Sequence, residues 1–211
     1  MGTIKRGILG GFSGKVGNVV GASWKGISYM RSLPQSVKNP RTKGQVSQRS
    51  KFAITLHYLK SMTAFLRTGW KLYAHRQSPI NAAMSYTLAN AIIGTYPDYE
   101  IDPNKVLVSR GSLAPAVNAN VTNMGGSVDI SWDDNSTVSN AKQTDKALIA
   151  IVNPTKGEAV CSTAETERMT GYQNIAIPAD WSGDEVQVYL GFISEDGKEV
   201  ANSAYLGAIP V

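Results

Sequence analysis

Three regimes of hydrophobic patterning succeed one another along the chain. In residues 1–38, the strand formers Val16, Val19, Val20, Trp24, Ile27 and Tyr29 are punctuated by Gly7, Gly10, Gly11, Gly14, Gly17, Gly21 and Gly26. Ser23-Trp24 and Ile27-Ser28 flank Lys25-Gly26, a pair suited to a tight hairpin turn. The pattern predicts an extended arm with one β-hairpin. It holds too little apolar surface to fold alone, so it is expected to rest on its own helices or on a neighbouring subunit. In residues 39–97 the period becomes helical. Asn39 and Pro40 read as a cap and first turn, and Phe52, Leu56, Leu59, Thr63 and Leu66 recur at spacings of three and four. Gly69 ends that helix. Ser78-Pro79 starts a second one, for which Gly94 supplies a stop.

From about Lys105 the period falls to two. Strands are expected at 105–109, 127–132, 146–152, 158–162, 173–177, 185–194 and 200–208, separated by Asp/Asn/Gly-rich turns. Seven short strands in about 100 residues is the pattern of a small β-sandwich. A Val-x-Ile-x-Trp strand ending at Trp132, with Tyr189 and Phe192 on a later strand, resembles an immunoglobulin or fibronectin type III module. A single cysteine, Cys161, excludes an inter-sheet disulfide and favours the fibronectin-like version. The predicted fold class is therefore α+β, in three parts: a glycine-rich arm (1–38), a basic helical hairpin (39–97) and a fibronectin III-like β-sandwich (98–211).

Charge follows the same divisions. Residues 1–97 carry 14 Lys or Arg and no Asp or Glu, whereas residues 98–211 carry seven bases and all 16 acids. Such asymmetry points to a polyanion or to an acidic protein partner. Lys38, Arg41, Lys43, Gln45, Gln48, Arg49 and Lys51 cluster at the expected helix start. There, free N–H groups and partial positive charge suit a phosphate or carboxylate. Lys15, Trp24, Lys25, Tyr29 and Arg31 are the candidate contacts of an assembly arm. The anionic partner is either nucleic acid, gripped through its phosphates, or the acidic sandwich of another subunit, met in a heterologous contact.

Candidates for chemistry are few. His57 and His75 read as packed or surface residues, and Cys161 as a buried strand residue. The spacing of Asp129, Asp133, Asp134 and Asp145 fits no EF-hand loop. Gly10 to Lys15 lacks the spacing of a phosphate loop. No catalytic residue, metal ligand, cofactor or small-molecule substrate is expected. No apolar run approaches the ~20 residues needed to span a bilayer. The short, glycine-broken apolar stretch after Arg6 makes a poor signal peptide. The chain is therefore expected to stay unsecreted.

Three stretches carry a resemblance: Gly7–Gly21 with Ser23-Trp24-Lys25-Gly26, Asn39-Pro40-Arg41-Thr42 followed by Gln45 and Gln48-Arg49, and Gly94–Tyr99. With Gly191–Ser203, they resemble an uncharacterised protein family of Bacteroidota genomes, their mobile elements and their phages. The resemblance implies a non-enzymatic virion or assembly role, as a homo-oligomer or beside other particle subunits, set in the host cytoplasm or in an assembled particle. It brings no catalytic motif.

Overall fold

The computed structural model describes residues 2–4, 7, 10–24, 26–36, 39–75 and 77–211. The chain forms two compact units, residues 1–42 and 43–211. The expected boundary at 97/98 thus falls inside the second unit.

The first unit is a four-stranded antiparallel sheet in sequential order: β1 (Thr3–Ile4), β2 (Phe12–Val16), β3 (Val19–Trp24) and β4 (Ile27–Ser32). The predicted hairpin is β3–β4, with Trp24 facing Ile27 across the turn and Gly26 at φ +87°. Among the described residues of this unit only Gly21 is buried. A Cβ there would fall on the ring and carbonyl of Phe12, so this position admits only glycine.

The second unit opens with α1 (Lys43–Lys60), α2 (Thr63–Gly69) and α3 (Pro79–Asn90). Ser78 caps α3 by accepting from the Asn81 N–H, with Pro79 in the first turn, as the sequence predicts. The start of α1 differs from expectation. Arg41 sits at φ +48°, and the helix begins at Lys43 rather than beside Asn39. Its phase differs too, since Phe52 and Leu56 are exposed while Thr55, Tyr58, Leu59 and Met62 are buried. A hydrogen bond of 2.7 Å between the Tyr58 and Tyr189 hydroxyls turns Tyr58 inward. At 100° per residue, Leu56 then lies about 200° away from it, on the outward side.

A hairpin of β5 (Ile92–Thr95) and β6 (Asp98–Ile101) follows, so Gly94 lies within a strand instead of ending a helix. Residues 105–109 form no strand. Their backbone groups bond to other elements: Trp70 Nε1 donates to the Leu107 carbonyl, the Val108 N–H donates to Ser203 Oγ, and the Ser109 carbonyl accepts from the Ser203 N–H. The remaining strands are β7 (Asn120–Asn123), β8 (Ser127–Ser131), β9 (Lys146–Asn153), β10 (Glu158–Glu167), β11 (Tyr172–Ala176), β12 (Glu185–Ile193) and β13 (Ala204–Pro210). They form two antiparallel sheets, ordered β10-β9-β12-β13 and β11-β8-β7.

These sheets enclose one core: Val128, Ile130 and Ile175 of the small sheet against Ala147, Ile149, Ile151, Val186, Val188, Leu190 and Phe192 of the large one. Trp132 closes an end of this core, edge-on to Phe192 at 5.7 Å. Alternate residues of the same strands, Leu148, Ala150, Val152, Tyr189 and Ile193, belong to a second core with Leu59, Met62, Phe65, Leu66 and Trp70 of the helices. The large sheet is therefore covered on both sides. Period two gives each face of β9 its own layer. A fully buried ion pair, Arg168 Nε to Asp145 Oδ2 at 3.2 Å, ties the loops at one end of the sandwich. Its guanidinium also donates to Asn135 Oδ1 and the Ala114 carbonyl, and lies over the Phe192 ring. Buried charge demands such partners; within the pair, Asp145 Oδ1 alone has none among the described residues.

Candidate assembly surface

The arm sheet presents two unlike faces. Directly paired residues of an antiparallel sheet point to the same side. The pairs Ile4↔Phe12, Val16↔Val19 and Gly21↔Met30 therefore collect apolar side chains on one face. Ile4, Phe12, Val16, Val19 and Met30 line a trough of about 340 Å³ there. Met30 is 71% exposed, Val16 55% and Ile4 54%. The pairs Lys15↔Val20, Val20↔Arg31, Ala22↔Tyr29 and Trp24↔Ile27 place Lys15, Arg31, Tyr29 and Trp24 together on the opposite face. Four of the five predicted arm residues thus share one side. The fifth, Lys25, lies outside the described residues, as does Lys38. Sequence reasoning missed the apolar face. Its signal was present as alternation within each short strand, but only the pairing of four strands assembles it.

The predicted basic segment is divided between the two units. Arg41 belongs to the first, in an irregular and exposed stretch. Lys43, Gln45, Gln48 and Arg49 are exposed on the first turns of α1. Lys51 is turned into the fold, its Nζ 4.8 Å from the centre of the Tyr99 ring. Tyr99 also bonds Ser47 Oγ at 2.6 Å, so Lys51 helps seat α1 on β6.

Other candidates take definite places. His57 is exposed and lines a cleft of about 350 Å³ with Ile54, Tyr58, Glu100, Ile101, Pro103, Pro154 and Gln187. Cys161, expected to be buried, is exposed on β10. The chain packed around its sulfur nonetheless pushes the thiol up to about 11, which keeps it protonated near neutral pH. The four aspartates do not converge. Asp145 is consumed by Arg168, Asp129 accepts from Tyr172, Asp133 from Asn118, and Asp134 from the Ser136 N–H. Among the described residues no three His, Cys, Asp or Glu group as a metal site. No described helix is long and apolar enough to cross a membrane.

The molecule is a mixed helix-and-sheet protein whose antiparallel sandwich carries helices on one outer face. By sequence it matches the family of unknown function DUF6266 over residues 11–207, and the chain belongs to that family. No curated protein matches it. Among solved structures it is similar to the fibronectin type III domain of the human collagen alpha-1(XX) chain. That likeness has a TM-score of 0.36 at 10% identity, and covers 49% of this chain and 90% of that one.

Proposed function

We propose that the protein is a non-enzymatic structural protein that multimerises by packing the apolar face of its arm sheet against the same face of another copy. The supporting observation is that face: Ile4, Val16, Val19 and Met30 are exposed on a sheet in which only Gly21 is buried among the described residues. A sheet is stable when one face is covered by another layer. Two such faces packing about 10 Å apart would complete the missing core. Burying each Val, Ile or Met contributes roughly 1.5–3 kcal/mol. That the assembly is a phage or phage-derived particle rests on the sequence resemblance alone. Sedimentation velocity tests the reading. The wild type should form multimers that persist in high salt, and Val16→Asp combined with Met30→Asp should be monomeric. A wild type that stays monomeric up to high concentration overturns it, as does a double variant that assembles normally.

A second reading is favoured by the opposite face, where two cations lie beside two rings. Here the arm binds nucleic acid, with Lys15 and Arg31 on phosphates and Tyr29 and Trp24 against bases, aided by Arg41. Fluorescence anisotropy should then give a steep salt dependence whose slope falls by about 1 for each base replaced by alanine. An unchanged slope in Lys15→Ala/Arg31→Ala sinks this reading.

A further inference from the structure

Arg110 sits where three aromatic rings converge. Its Cζ lies 4.5 Å from the centre of the Tyr73 ring, 5.1 Å from Tyr86 and 5.7 Å from Trp70. The rings also hold one another, with Trp70 5.7 Å from Tyr73 and 5.6 Å from Tyr86. The backbone beneath the arginine is pinned on both sides, by the Arg110 N–H to the Gly69 carbonyl and by the Gly111 N–H to Asn202 Oδ1. The guanidinium is therefore fixed in place before any ligand arrives.

Attraction to ring faces uses none of the N–H groups on a guanidinium's edge. That edge carries five N–H donors in a fork that matches a carboxylate or phosphate. Five of the seven bases in residues 98–211 meet a carboxylate: Lys105, Lys146, Lys156, Arg168 and Lys198. Arg110 meets rings instead, and no acid occurs anywhere from residue 43 to 97, the stretch supplying its cage. The arginine opens into a pocket of about 270 Å³ whose wall includes Gln77 and Ser85. Arg110 is only partly buried there, and Ser85 is exposed.

We propose that Arg110, held in the cage of Trp70, Tyr73 and Tyr86, is a binding site for a single oxyanion group, a carboxylate or a phosphate. The rings hold the cation before binding, so little rearrangement is needed, and Ser85 on the wall of the same pocket offers a further donor. The site is independent of the arm, and its failure would leave the assembly reading untouched.

Arginine-selective labelling with phenylglyoxal, read by peptide mass spectrometry, tests this on the intact wild-type chain in whatever assembly it forms. Three arms at matched ionic strength use chloride, acetate and inorganic phosphate. The expected result is that Arg110 is labelled in chloride and protected several-fold by acetate or phosphate, with the exposed Arg67 labelled alike in all three. Protection by phosphate alone assigns a phosphate ligand, and protection by acetate alone assigns a carboxylate. The proposal is overturned if Arg110 is protected no more than Arg67. It is equally overturned if Arg110 resists labelling in chloride, which would mean that its edge is closed.

Discussion

Tyr58 and Tyr189 bring two hydroxyls together between α1 and the large sheet, and Tyr189 also donates to the Pro103 carbonyl. Burial pushes Tyr58 up to about 12 from its ordinary 10, and burial pushes Tyr189 upward as well. Between these values the unfolded chain has released a proton that the native one retains, so stability falls as pH rises. The contribution is intact below about pH 10 and is lost progressively toward about pH 12. For a shift of this size the loss is roughly 2–3 kcal/mol. Urea midpoints measured across that window should drop steeply in the wild type and less in Tyr58→Phe. Parallel curves would show that the pair does not govern alkaline stability.

Among the elements, β9 is apolar on both sides, and each side belongs to a different core. Leu148→Ala and Ile149→Ala should therefore both destabilise, each by about 2–5 kcal/mol in urea unfolding. If one of the two neighbours tolerates alanine, one of the two layers is not a packed core. The element pattern was legible in sequence wherever local chemistry decides it. Ser78-Pro79 starts α3, Lys25-Gly26 marks a hairpin, and the alternation in 127–132 gives a strand. It was not legible where a distant group decides. The phase of α1 depends on a hydroxyl 131 residues away. Residues 105–109 alternate like a strand, yet spend their backbone bonds on the Trp70 indole and Ser203. Arg110 was invisible as a site because its rings come from positions 70, 73 and 86, brought together only by helix packing.

For the whole molecule, the division that matters lies at residue 42 rather than 97. Residues 1–42 hold seven bases and no acid, whereas residues 43–211 hold 14 bases and 16 acids. The basic helices and the acidic half therefore largely offset each other within one unit, and the net positive charge is a property of the arm. A chain lacking residues 1–42 should still unfold cooperatively in a thermal scan while losing any self-association seen by sedimentation. Loss of the cooperative transition would show that the arm is needed for the fold of the remainder. Within that remainder, the two-sided burial of β9 has a further consequence for folding fidelity. A slip of one residue usually betrays itself by throwing polar groups into a core, but along Ala147–Val152 it would merely exchange one apolar set for another. The correct frame must be written at the strand's polar ends. There Lys146 meets Glu167 at 2.7 Å, and Asn153 donates to Asp184 while accepting from the Lys156 N–H. These few bonds act as stops that let a featureless strand find a single alignment.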